Sequence, residues 1–385
     1  MKTFFIYLFV LFLACTIGTK NAYAQTVNDR ILLEYYQAQR YVEAAAYLKR
    51  TYKEPITDEV ALRNLAYTSQ MAGKLVDAEN YYQRLFDQDT TKLSVLNSLA
   101  GVNLRRGNIA KAGAYYARIV ATDSLNFYVL KQLAEINSQR GDTTLFVKYL
   151  VKANTVNPDD ADVASDLSNW YVGVKKYKEA EVVLNKATTA DPENLVLLQS
   201  LIKLLHAQLN WSETIKVGLK LQQLGDGSYS TLIKLGQAYY RLKNYMCCLE
   251  TLAGMDYNQQ NETSYYYMGL SYKSLKNYPK AVEYFEKAIN DGISPAISTY
   301  YAEIAGSYQQ SNKFKKAALA YQKGLTFKEQ PLVLYSLATL YDTDLKDKAN
   351  AVKYYKKYLS TNPPALQKVY VDYTKTRITA LGSKF

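Results

Sequence analysis

The stretch Tyr265-Tyr266-Tyr267-Met268-Gly269-Leu270-Ser271-Tyr272, followed after eight intervening residues by Ala281-Val282-Glu283-Tyr284-Phe285, carries the reading of this chain. Met268, Gly269 and Tyr272 share one face of a helix, and Ala281 and Phe285 share one face of a second. A small residue where two helices cross lets their backbones approach, while the large residue four positions later fills the adjoining gap. The stretch therefore predicts a helical hairpin.

Moving outward, the same slots return at a period of 34 residues. Ala44, Ala78, Ala112, Ala180, Ala281, Ala317 and Ala351 share the small slot with Phe146, Thr214 and Cys248, at intervals of 34 apart from one of 33 and one of 36. Four residues on come Leu48, Tyr82, Tyr116, Leu150, Leu184, Gly218, Leu252, Phe285, Tyr321 and Tyr355, large in every case but Gly218. Pairs such as Leu65-Ala66, Leu99-Ala100, Leu235-Gly236 and Ile304-Ala305 precede the small slot at a fixed offset. Arg106-Gly107-Asn108 and Arg140-Gly141-Asp142 are turn signals inside a hairpin; Asn157-Pro158-Asp159-Asp160 and Asp191-Pro192-Glu193-Asn194 separate one hairpin from the next. One hairpin cannot bury its apolar face alone, so about ten of them must stack into an all-α solenoid.

The pattern Tyr265-x2-Met268-Gly269-x2-Tyr272, then Ala281-x3-Phe285, with Pro158, Pro192 and Pro363 in the final slot of other copies, resembles the tetratricopeptide repeat. The resemblance runs from Thr26 to Pro363; the first, sixth and tenth copies are degenerate, and Gly218 stands where an aromatic residue belongs. It implies a right-handed superhelical solenoid of about ten such helix-turn-helix repeats over 25–363. Residues 364–385 are expected to form a C-terminal capping helix. Leu366, Val369, Tyr370 and Tyr373 would face the tenth repeat, and Lys368, Lys375 and Arg377 would meet water.

The N-terminus has the features of an export signal over 1–24. Lys2 supplies the positive end, Phe4 to Ala14 an apolar core too short to span a bilayer, and Ala22-Tyr23-Ala24 a cleavage site before Gln25. A competing reading takes Phe12-Leu13-Ala14-Cys15 as a lipoprotein box with Cys15 lipidated. Either one sends the chain to the periplasm or the cell surface, and its composition is similar to that of exported repeat proteins of Bacteroidota. The two remaining cysteines, Cys247 and Cys248, are adjacent, so packing and not disulfides must hold the fold.

Charge is uneven along the chain. Residues 25–200 carry 21 Lys and Arg against 21 Asp and Glu, whereas residues 201–385 carry 24 against 14, an excess of 10 positive charges. Tyrosine is abundant as well, with 22 of the 38 lying after residue 200. In the family that the chain resembles, fixed positions of each first helix line a concave groove. Carried over, these include Arg63, Tyr67, Lys131, Asn169, Lys203, Tyr240, Arg241, Tyr266, Lys273 and Tyr335, with Asn97 and His206 in the same set. Rings give contact area at low entropic cost and cations fix carboxylates, which suits an extended, acidic protein or peptide partner, or a cell-wall glycan. The family's clamp for C-terminal carboxylates is not reproduced, because Arg63 is followed by Tyr67 and Ser98 where two Asn would be needed.

Signs of catalysis are few. The single histidine, His206, has no motif partner, and no nucleotide-binding, zinc-protease or serine-hydrolase motif is present. Asp159, Asp160, Asp162 and Asp166 cluster at a helix start, where the helix dipole accounts for them without a metal. No cofactor is expected. The sequence points to a non-catalytic interaction scaffold of the bacterial cell envelope, with a glycan- or peptidoglycan-binding module using groove tyrosines as the alternative. Nucleic acid is not an expected partner, nor is a transmembrane segment after signal removal.

Overall fold

The computed structural model describes residues 29–292 and 294–383, and every regular element in it is helical. The expected export signal, Cys15 and Gln25 lie outside the described residues. Helices pair as α1 (Asp29–Gln37) with α2 (Tyr41–Thr51), α3 (Glu59–Met71) with α4 (Leu75–Gln88), α5 (Leu93–Arg105) with α6 (Ile109–Thr122), and α7 (Phe127–Gln139) with α8 (Thr143–Val156). The next hairpins are α9 (Ala161–Gly173) with α10 (Tyr177–Ala190), α11 (Leu195–Ala207) with α12 (Trp211–Gln223), and α13 (Tyr229–Arg241) with α14 (Tyr245–Ala253). They are followed by α15 (Glu262–Ser274) with α16 (Tyr278–Asn290), and α17 (Ile297–Gln310) with α18 (Phe314–Phe327). The tenth hairpin joins α19 (Pro331–Thr339), continued by a π turn over Leu340–Asp344, to α20 (Lys348–Ser360); α21 (Lys368–Ala380) comes last. The chain divides into two compact units between Asn157 and Pro158.

A common device ends each first helix. In the turn after α5, Gly107 N–H donates to Leu104 O at 2.9 Å and Asn108 N–H donates to Asn103 O at 2.8 Å, with Gly107 at φ 77°. That is the left-handed cap, in which two otherwise orphaned carbonyls of the last turn are satisfied. The corresponding residue in the other hairpins is Gln39, Gly73, Gly141, Lys175, Leu209, Lys243, Lys276, Asn312 and Lys346, all with positive φ. At helix starts, Asp58, Asn126, Asp160, Asn194 and Asn261 accept backbone N–H bonds through their side chains. Asp160 in the acidic cluster is thus an N-cap.

Packing explains the repeat slots. In the first unit Leu48, Ala78, Leu65, Leu99, Ala112 and Tyr116 are all fully buried in one cluster. In the second, a Cβ added at Gly269 would lie 2.6 Å from Phe285, and one at Gly236 would lie 2.6 Å from Leu252. In these two hairpins the large residue of the second helix therefore sits on the small residue of its own first helix. The sixth hairpin exchanges the two sizes. Ile202 occupies the first-helix slot that holds Ala, Gly, Ser or Thr in every other hairpin but the first, where it is Leu32, and its methyl comes within 3.3 Å of a Cβ built on Gly218. Gly218 is thus a compensated exchange of volumes and not an unfilled gap.

The C-terminal helix departs from expectation. Leu366 and Val369 are 97% and 77% exposed, while the buried residues of α21 are Thr374 and Ile378. Arg377 does not face open water: Nε and Nη2 each reach the buried Asp342 at 2.8 Å, and Tyr355 Oη donates to the same carboxylate at 3.1 Å. Asp342 lies in the π turn, which alters the helical phase at the end of α19. A paired carboxylate therefore sets the rotation of α21 against the tenth hairpin, and apolar patterning alone could not reveal that pairing. Cys248 is buried, with its thiol pushed up to about 11 by burial, whereas Cys247 is only half-buried.

Candidate partner-binding face

The first helices supply the candidate residues, and each unit presents its own set. In the first unit Arg63 is exposed and ion-pairs with Glu59 on the same helix; Lys92 Nζ holds the other Glu59 oxygen at 2.6 Å. Tyr67, 43% exposed, meets Tyr36 and Tyr41 edge to face at 5.8 and 6.5 Å. Asn97 is exposed and lines a cavity of about 260 Å³ with Leu93, Ser94, Asn126 and Tyr128. Lys131 is half-buried.

The second unit brings more of the set together. First helices of successive hairpins touch from α9 through α15, and side chains about one repeat apart meet across them. Asn169 Nδ2 donates to Ser165 Oγ at 3.3 Å and Ser200 Oγ at 3.1 Å, and the two serines are 2.7 Å apart. His206 Nε2 is 2.7 Å from Gln237 Oε1, and its ring stands edge-on to Trp211 at 5.3 Å. Burial lowers the His206 pKa, so the ring is neutral at neutral pH. The Arg241 guanidinium lies over the Trp211 ring, 6.0 Å from its centroid.

Several candidates are less available than their positions imply. Lys273 is ion-paired with Glu303 at 2.7 Å, so its charge is already met. Tyr240 packs against Tyr245 and Tyr267, and Tyr266 packs against Tyr267, Phe285 and Tyr300. Burial, aided by the Glu303 charge, pushes the Tyr266 hydroxyl up to about 12. Tyr335 lies within ring contact of Tyr355, Tyr358, Tyr370 and Tyr373, the last two on α21. The chain's own last helix thus covers that end of the face.

The available cations are Lys203, Arg241 and one that the resemblance did not supply, Lys234. Its Nζ donates to Ser230 O at 2.9 Å and Ser230 Oγ at 2.7 Å. Burial and the neighbouring Lys203 charge pull its pKa below the ordinary lysine range. A signal was present in the sequence, since neither Leu195–Ala207 nor Tyr229–Arg241 contains an Asp or Glu. Among the described residues no group of three or more His, Cys, Asp and Glu could hold a metal ion, and no helix is long and apolar enough to cross a membrane.

Tetratricopeptide repeat family models match residues 64–126, 263–290 and 332–364. No curated protein matches the chain. Among solved structures the chain is similar to a tetratricopeptide repeat protein from Parabacteroides merdae, at 15% identity over 65% of this chain and 98% of that one, with a TM-score of 0.42. It is similar to pilF of Pseudomonas aeruginosa at 20% identity over 56% of this chain and 97% of that one, with a TM-score of 0.44. YrrB, described as a repeat protein of this kind with an unusual peptide-binding site, is 16% identical over 49% of this chain and 96% of that one, with a TM-score of 0.43.

Proposed function

Because the chain is a tetratricopeptide-repeat protein, we propose that it is a non-catalytic interaction scaffold that holds an extended protein segment along its first-helix face. The observation that carries the reading is the set of side chains on α11 and α13 that neither the core nor an ion pair consumes: Lys203, Lys234 and Arg241. Stacked hairpins offer surface and not a closed pocket, and binding by such proteins draws on many first-helix positions at once.

We assign the protein to the bacterial cell envelope, exported by cleavage after Ala24. The motive is Lys2, the apolar run Phe4 to Ala14 and the Ala22-Tyr23-Ala24 site. N-terminal sequencing of the mature protein should begin at Gln25; a lipidated Cys15 would instead anchor it to a membrane surface. The scaffold reading is tested by capture from cell envelopes, with mass spectrometry of bound proteins and bound muropeptides. A protein partner lost on substitution of the first-helix face is the expected result. Recovery of muropeptides alone would overturn it in favour of glycan binding.

A further inference from the structure

Lysines on adjacent helices repel one another, and folding that brings them together requires stabilisation from elsewhere. His206 on α11 and Gln237 on α13 meet at 2.7 Å, and Lys203 and Lys234 each stand three residues before them, so the two lysines occupy corresponding turns of touching helices; burial, with the Lys203 charge, disfavours the protonated form of Lys234. Arg241 stands further along α13, stacked on Trp211. Among the described residues no ion pair joins any of the three to a carboxylate, and the two helices carry no acidic residue at all. Glu303, which bears on the neighbouring rings, is held by Lys273 at 2.7 Å. Elsewhere the chain pairs such cations: Arg63 with Glu59, Arg377 with Asp342, Lys287 with Glu283.

The chemistry of the three groups defines what would satisfy them. Lys234 has three ammonium protons and gives two bonds to Ser230, leaving one donor. Lys203 is exposed, and Arg241 presents a guanidinium fork suited to a carboxylate. We propose that Lys203, Lys234 and Arg241 form a carboxylate-reading site for the Asp and Glu side chains of an extended acidic peptide segment lying across α11 and α13. The inference rests on the scaffold reading and specifies its partner.

The neighbouring rings argue for peptide over glycan. A sugar needs an open ring face, and here Tyr240, Tyr266 and Tyr267 pack against one another and their neighbours. Charge complementarity commits the site to an acidic occupant, which charge steers and the rings then contact.

The test measures binding of a labelled glutamate-rich peptide, and of its glutamine-for-glutamate counterpart, to the full chain by fluorescence anisotropy. The acidic peptide should bind more tightly, and the pair Lys203→Gln with Lys234→Gln should weaken it about tenfold, or roughly 1.4 kcal/mol. Lys203→Arg with Lys234→Arg should retain most of the affinity, and Lys287→Gln should leave it unchanged. The melting temperature of Lys203→Gln should equal or exceed that of the native chain, because a repulsion is removed. A loss of binding together with a lower melting temperature would mark a structural role and overturn the site. Equal binding of both peptides, or of neither, would overturn it too. So would binding of a glycerol-phosphate polymer through these lysines in place of the peptide. The scaffold reading fails differently, when envelope capture recovers no protein.

Discussion

Seven of the ten turns inside hairpins put a residue other than glycine at positive φ, among them Lys175, Lys243 and Lys276. For a residue with a Cβ that conformation costs roughly 1 to 2 kcal/mol, against which glycine loses roughly 0.5 to 1 kcal/mol more backbone entropy on folding. The side chains of Lys243 and Lys276 are exposed. Lys243→Gly and Lys276→Gly are therefore expected to stabilise the chain by about 0.5 to 1 kcal/mol each, read as a rise in denaturation midpoint. Gly141→Ala, at φ 71°, should do the reverse. Asp342 provides the pH-dependent contact. The Arg377 bonds hold its carboxyl below the ordinary aspartate value of 3.8, although burial opposes them. A depressed folded-state pKa gives stability that is fully present above 3.8 and is lost as pH falls through the depressed value. Hydrogen exchange of the 368–380 amides should accelerate on such acidification and, at neutral pH, in Asp342→Asn.

At the scale of the element, the sixth hairpin tests how the slots work. Ile202→Ala alone should open a cavity and cost about 2 to 4 kcal/mol, and Gly218→Leu alone should overpack against Leu235 and Ile202. Together the two changes restore the arrangement seen where Phe285 sits on Gly269, so the double variant should recover much of the loss. Chemical denaturation of the four-member cycle measures the coupling; additive losses would show that the two residues do not share one volume. By the same packing, Ala112→Leu and Ala281→Leu, at positions with 0% exposure, should each cost roughly 1 to 3 kcal/mol. Lys315→Ala, on an exposed face of α18, should change the midpoint little.

For the whole molecule the relevant quantity is the distribution of charge. The excess of 10 positive charges after residue 200 includes lysines already paired with acids, such as Lys273, Lys280 and Lys357, so the number of free cations is smaller than composition implies. Long-range attraction still acts on a charged partner before contact. Association with an acidic peptide should slow as salt rises past about 0.15 M, where the Debye length is roughly 8 Å, while contacts to the rings persist. Stopped-flow association rates at graded salt check this. The Lys203→Gln and Lys234→Gln pair should flatten the salt dependence, and an unchanged slope would place the steering charge elsewhere.

The periodicity by itself determined the hairpins, their number and the buried slots, because in a stack of 34-residue repeats each apolar position can pack only within its own hairpin or against an adjacent one. The candidate first-helix positions came from the resemblance to the repeat family and not from the pattern of apolar residues. Only the tertiary structure decided which of them are available. Lys273 was spent on Glu303, Tyr335 was covered by α21, and Lys234 emerged as a third free cation, each through a partner about a repeat or more away in sequence. The exchange of Ile202 with Gly218 and the rotation of α21 by Arg377 and Asp342 were hidden for the same reason. Periodicity is a property of one strand of sequence, whereas volume compensation and charge pairing belong to pairs of residues that only folding brings within a few ångströms.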